Sequence, residues 1–97
     1  MWIVSRRTLR AFWEKHADAK EQLQAWFAIA EKAEWKTPAD VKTTFGKASI
    51  VSGNRVVFDI KGNAYRLVVK MAYRFGKCWI RWIGTHADYD KIDVTTV

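Results

Sequence analysis

The chain reads as an α+β domain with helices laid on one face of an antiparallel sheet. Three observations predict this. Two apolar stripes at helical spacing occupy the first third, apolar and polar residues alternate with a period of two from Arg55 onward, and glycine-bearing turns punctuate the alternating runs. Helices come first and strands follow, so the helices gather on one side of the sheet. Ninety-seven residues make a single domain, 1–97, with one core, and no Pro-rich or Gly/Ser-rich linker, internal repeat or low-complexity tract divides it.

Trp2, Ile3 and Val4 form a short first strand that stops at Ser5, a residue suited to cap the first helix. Leu9, Phe12, Trp13 and His16 then recur at helical spacing, and His16 on that stripe reads as structural. Asp18, with Glu21 three residues on, resembles a capping box for a longer helix whose apolar stripe is Leu23, Trp26, Phe27, Ala30 and Ala33. Thr37-Pro38-Ala39-Asp40 opens a third, short helix that runs through Val41 and Phe45 and ends at Gly46.

A three-strand antiparallel meander follows. Val56, Phe58 and Ile60 alternate with Arg55, Val57 and Asp59, and Gly62-Asn63 supplies a two-residue hairpin loop. Tyr65, Leu67, Val69, Met71 and Tyr73 then face one way, and Arg66, Val68, Lys70 and Ala72 the other. A tight turn at Phe75-Gly76 sets Lys70 opposite Arg81, Val69 opposite Trp82, Met71 opposite Ile80 and Arg66 opposite Thr85, with Asp59 across from Arg66 on the other side. By this parity Trp13, Trp26 and Trp82 belong to the core, and Trp79 joins a basic face of Arg55, Arg66, Lys70 and Arg81 left open to solvent or ligand. After Thr85 the chain turns and brings His86 and Tyr89 over the end of the last strand.

Lys and Arg number 17 against 10 Asp and Glu, a net charge of +7 that favours a polyanionic partner such as RNA, DNA or an acidic protein. Six tryptophans and a 49% hydrophobic fraction exclude a disordered chain. Cys78 is the one cysteine and falls on the core face, so no intramolecular disulfide is expected. The N-terminal sequence lacks the pattern of a signal peptide, and no apolar run approaches the ~20 residues of a membrane span. A cytoplasmic protein is expected, with no cofactor. The two histidines and lone cysteine are widely separated and offer no metal-ligand spacing.

The segments SRRTLRAFWEKHADA, WKTPADVKTTFG, RVVFDIKGNAYRLVVK and IRWIGTHADYDKID together resemble the HigB-type toxins of bacterial type II toxin–antitoxin modules, over nearly the whole chain. The most specific portions are GN-x-YRLV from Gly62 to Val68 and THA-x-YD from Thr85 to Asp90. The resemblance implies a compact RelE-like fold and an endoribonuclease that cuts messenger RNA on the translating ribosome. It also implies a HigA-type helix-turn-helix antitoxin, and operator DNA bound only through the toxin–antitoxin complex. Arg66, Arg81, His86 and Tyr89 match the family's site positions, whereas Lys70, Arg55 and Trp79 join them as RNA-binding residues from strand parity. One departure is Asp59-Ile60-Lys61, where the family pattern leads us to expect asparagine, isoleucine and glycine. It places a negative charge beside Arg66.

Cleavage without a metal needs a base for the 2′-hydroxyl, cations for the charge developing on phosphorus, and an acid for the leaving 5′-oxygen. His86 is assigned the acid or base role because imidazole exchanges its proton near neutral pH. Arg66 and Arg81 are assigned to the scissile phosphate, Tyr89 to stacking or proton transfer, and Lys70 to added positive field. Without the resemblance, a sheet-capping role for His86 is favoured over catalysis, and the basic row reads as evenly a solvated sheet face as a phosphate site. Two other classes use the same residues: a non-catalytic RNA- or ribosome-binding module, and a protein-interaction domain for an acidic partner.

Overall fold

The second half of the chain supplies four strands of a five-stranded sheet in the computed structural model, which describes residues 1–97. The strands are β1 (Trp2–Val4), β2 (Ser49–Val51), β3 (Arg55–Ile60), β4 (Tyr65–Ala72) and β5 (Lys77–Thr85), in the order β1-β5-β4-β3-β2. The expected meander is present as β3, β4 and β5. Two features depart from expectation: β1 pairs with β5 in parallel, which makes the sheet mixed, and β2 adds an antiparallel edge beyond β3. β1 is where the sequence places it, but its parallel partner lies far along the chain, and the three residues of β2 are too short a run to establish an alternation.

Helices α1 (Arg6–Lys15), α2 (Lys20–Lys32) and α3 (Pro38–Thr44) precede the meander, and α4 (His86–Tyr89) follows it. The start of α3 is as the sequence predicts, with Pro38 in the first turn and a full capping box between Thr37 and Asp40. The other two caps differ. Ser5 holds a left-handed backbone, φ 70°, and its side chain makes no capping bond. Asp18 lies in a 3-10 turn, Ala17–Ala19, that runs into α2, and its carboxylate accepts the Tyr65 hydroxyl at 2.6 Å instead of capping. A long-range acceptor role outcompetes the local one.

Leu9, Leu23, Trp26 and Ala30 from α1 and α2 meet Val56, Phe58, Ile60, Leu67, Val69, Met71, Cys78 and Ile80 from the sheet's inner face in one buried cluster. Each fully buried large aliphatic or aromatic side chain contributes about 1.5–3 kcal/mol, so this cluster is the dominant stabilising term. Trp13 packs against the edge of the same cluster, and His16 stacks on Phe12 at 4.3 Å, as a structural residue would.

The β4–β5 register carries the main correction. Tyr65 pairs with Thr85, Arg66 with Gly84, Leu67 with Ile83 and Val68 with Trp82, but Val69 pairs with Ile80 and Lys70 with Trp79. Arg81 is therefore the extra residue of a β-bulge and faces no partner, and Lys70 is not opposite it. An inserted residue reverses the parity beyond it. Trp82 consequently leaves the core side for the outer face, while Ile83 turns inward against the core. The hairpin turns also differ: Lys61–Ala64 link β3 to β4, with positive φ at Lys61 and Gly62, and a 3-10 turn, Tyr73–Phe75, precedes Gly76 before β5.

Val57 and Val68 point away from the helices, yet they are 3% and 0% exposed. The outer face is thus not bare. Trp82 lies on it, and the segment after α4 turns back across it until the Val97 oxygen reaches Arg55 on β3 and Arg81 on β5.

Candidate functional site

The outer sheet face presents two groups of the residues singled out by sequence. At one end, Arg66 on β4 stands directly across from Asp59 on β3, with Nε 3.2 Å from Asp59 Oδ1. Its Nη2 donates to Asn63 Oδ1 at 3.1 Å, and Nη1 donates to the carbonyls of Asn63 and Tyr65 at 3.3 Å each. The Tyr89 ring lies 5.9 Å from the guanidinium carbon, and Trp82 lies 6.1 Å from Tyr89. Arg66 is thus held in a defined pose under an aromatic ring.

The loop and short helix around this arginine are tied together by local chemistry. Thr85 caps α4 by accepting from the Asp88 amide at 3.2 Å, which turns the chain so that His86 and Tyr89 leave the end of β5. The His86 amide donates to the Ala64 carbonyl at 3.1 Å, fixing α4 against the Lys61–Ala64 loop. Gln22 of α2 accepts from the Lys61 amide and anchors the loop on the helix side. The His86 imidazole is half exposed, with Nε2 3.7 Å from Asp90 Oδ1 one helical turn on. It stands at the rim, open to solvent.

Gly84 explains how Trp82 fits there. A Cβ at position 84 would lie 2.6 Å from two ring carbons of Trp82, so the indole occupies the space that the missing side chain leaves on the outer face. Trp82, Tyr89 and Arg66 follow one another as a run of apolar and cationic surface.

The second group lies two rows along the strands. Lys70 is flanked in register by Arg55 on β3 and by Trp79 on β5, which places Trp79 on the basic face as its parity predicts. Arg55, only 9% exposed, donates from Nη1 to the Gly53 carbonyl at 2.8 Å and from Nε and Nη2 to the Val97 oxygen at 3.3 and 2.8 Å. The Arg81 Nε donates to the same oxygen at 3.3 Å. Arg66 and Lys70 are four residues apart, about 13 Å along an extended strand, so the two groups are separate positions on one face. In this arrangement Arg66 and Arg81 attend to different partners.

Sequence reasoning does not single out Asn63, Trp82 or Val97. Asn63 sits inside the GN-x-YRLV motif, and a glycine two residues beyond Trp82 is a signal for an aromatic side chain on the same strand face. Nothing in the sequence announces the Val97 contact. On the helix side, Asn63 and Asp59 also rim a cleft of about 560 Å³ whose apolar wall includes Trp26, Phe45 and Phe58. No three His, Cys, Asp or Glu side chains come together as a metal-ligand set, and no helix is long and apolar enough to cross a membrane.

Residues 19–92 match the HigB_toxin family model, described as the RelE-like toxic component of a toxin-antitoxin system. The chain is 28% identical over 92 residues to the mRNA interferase toxin HigB of Escherichia coli strain K12, an alignment spanning 93% of this chain and 88% of that relative. The mRNA interferase HigB of Escherichia coli O157:H7 and that of Shigella flexneri show the same identity and coverage.

Proposed function

The chain belongs to the HigB family of RelE-like toxins of toxin-antitoxin systems, and from that membership we propose that it is a metal-independent endoribonuclease cutting mRNA on the translating ribosome. The observation that carries this reading is the Arg66 pose: a guanidinium with its donors fixed beneath Tyr89 of α4, the helix that also carries the half-exposed His86 imidazole. This set offers a cation for the phosphate and a proton carrier for the base or acid step.

In this mechanism the substrate's 2′-oxygen loses its proton to a base, attacks the adjacent phosphorus, and the 5′-oxygen leaves with a proton from an acid. The products are a 2′,3′-cyclic phosphate and a free 5′-hydroxyl. Arg66 holds a non-bridging phosphate oxygen and stabilises the charge that grows there, a role for which a planar two-pronged donor is suited. His86 carries the proton, as base or acid, and Tyr89 stacks on a base beside the cut or shares the transfer. Arg81, Arg55, Lys70 and Trp79 extend the contact along the RNA, the cations to phosphates and the indole to a base.

The partners in this reading are the mRNA and ribosome, a HigA-type helix-turn-helix antitoxin that blocks the toxin, and operator DNA reached only through their complex. The setting is the cytoplasm, where translation occurs. Primer extension on a translated mRNA, with and without ribosomes, tests the reading. Cuts that require ribosomes and disappear in folded His86→Ala support it. A folded wild-type protein that is retained on RNA but makes no cut supports a non-catalytic binding module instead.

A further inference from the structure

The Arg55, Lys70 and Arg81 group has no acidic side chain among its ion-pair partners. The ion pairs of this protein are Arg66 with Asp59, His86 with Asp90 and Lys91 with Asp88. Arg55 and Lys70 nevertheless stand directly opposite one another, an arrangement that raises the energy unless an anion joins it. What joins it here is one main-chain oxygen, that of Val97, which takes Arg55 Nε, Arg55 Nη2 and Arg81 Nε together. Three donors converge on a single oxygen. A phosphodiester, with two non-bridging oxygens and a full negative charge, suits that convergent donor set.

The segment that delivers this oxygen is held in shape by its own hydrogen bonds. Asp93 Oδ1 accepts from the Thr95 amide and hydroxyl at 3.0 and 2.6 Å, and the Asp93 carbonyl accepts from the Thr96 and Val97 amides at 3.2 and 3.1 Å. These bonds lie within Asp93–Val97, hold it in the shape that crosses the sheet, and are given up when it lifts and unfolds. The hydrogen bonds from it to the sheet are the three arginine bonds alone. Gly53 makes room for the crossing, since a Cβ there would lie 3.0 Å from the Thr95 oxygen and 3.0 Å from Arg55 Nη1.

We propose that Arg55 and Arg81, with Lys70 beside them, form a second phosphodiester-binding position, and that the Asp93–Val97 strap occupies it in the free protein and lifts when a polynucleotide lies along β4. The polynucleotide part rests on the nuclease reading above. The anion site itself rests on the donor geometry.

The test is NMR of the full-length protein titrated separately with inorganic phosphate and with a 2′-O-methyl oligoribonucleotide, which lacks the attacking hydroxyl and is not cut. Both ligands are expected to shift the Arg55 and Arg81 Nε–H signals and to move the Thr95, Thr96 and Val97 amides toward unstructured positions. Thr95→Val removes the hydroxyl bond to Asp93 without changing charge, and should let the oligonucleotide bind about fivefold more tightly, the factor set by one hydrogen bond's net contribution. Ligand-induced shifts at Arg66 with the Thr95–Val97 amides unmoved would overturn the proposal. So would a Thr95→Val protein whose strap amides are unstructured but whose affinity is unchanged. If phosphate lifts the strap and the oligonucleotide binds nowhere, the anion site stands and the nuclease reading fails.

Discussion

Arg66 and Asp59 face each other across β3 and β4 with 3.2 Å between Nε and Oδ1, so the arginine best placed for phosphate already has a carboxylate for company. The pair is partly open to solvent, and pairs of this kind contribute only about 0–1 kcal/mol to stability. In RNA binding the carboxylate acts against the ligand through repulsion and through competition for the guanidinium. Asp59→Asn should therefore leave the melting temperature nearly unchanged and tighten binding of an uncleavable oligonucleotide by about fivefold, the equivalent of ~1 kcal/mol. Filter binding at fixed salt measures it. Weaker binding would show instead that Asp59 aims Arg66 at the phosphate.

Removing the guanidinium itself isolates its role in the chemistry. Arg66→Ala should lower the cleavage rate by about 10²–10³, the usual cost of losing one charge-stabilising donor. Its side chain packs on the outer face and not in the main core, so circular dichroism and thermal melting should show a folded protein. A rate within a few-fold of wild type would remove Arg66 from the mechanism.

Trp82 and Gly84 give a way to disturb the aromatic wall without touching a charge. Gly84→Ala puts a methyl 2.6 Å from the indole ring carbons. Overpacking of this kind costs about 1–3 kcal/mol and forces the ring to move. The indole is next to Tyr89, so its displacement should change tryptophan emission and lower RNA affinity together. A change in emission with unaltered affinity would show that the Trp82–Tyr89 contact is structural only.

The helices, the core face of β3 and β4 and the Arg66–Asp59 pairing were legible in the sequence because each depends on local periodicity or on a short hairpin. The bulge at Arg81 was not. A bulge adds one residue to one strand, and the alternation on either side remains regular, so parity carried through from Cys78 assigns Trp82 to the wrong face. β1 was read correctly at Trp2–Val4, but its parallel pairing with the distant β5 was not, and β2, three residues long, establishes no period. Asp18 shows how a long-range acceptor role overrides a local cap motif, since Tyr65 claims its carboxylate from 47 residues away. The Val97 contact lies beyond any local rule, because it joins β3, β5 and the strap only after the sheet has formed.

Burial pushes the Cys78 thiol up to about 12. The neutral form is favoured in the folded protein, so this contribution to stability is present below the thiol's ordinary value and is lost only as pH rises through the folded one. Native protein at pH about 8.5, where an unperturbed thiol is half ionised, should resist alkylation until it unfolds. Mass spectrometry after iodoacetamide treatment, with and without denaturant, checks this. Rapid labelling of the native protein would contradict the buried position on the core face of β5.

Asp93 should make the strap sensitive to acid. The Thr95 hydroxyl, and then the Thr95 amide, donate to its carboxylate and hold its pKa below the ordinary 3.8. A depressed folded value means that the carboxylate stabilises the turn fully above its ordinary value and that this contribution is lost as pH falls through the lowered one. Below that point the protonated carboxyl is a poorer acceptor for two donors, and the Thr95–Val97 amides should move toward unstructured positions while core amides such as Leu67 remain in place. Asp93→Asn keeps an acceptor oxygen and removes the titration, so its strap signals should not change between pH about 2.5 and about 5, the range in which carboxylates titrate. Strap and core signals collapsing together in the wild type would assign the transition to global acid unfolding rather than to Asp93.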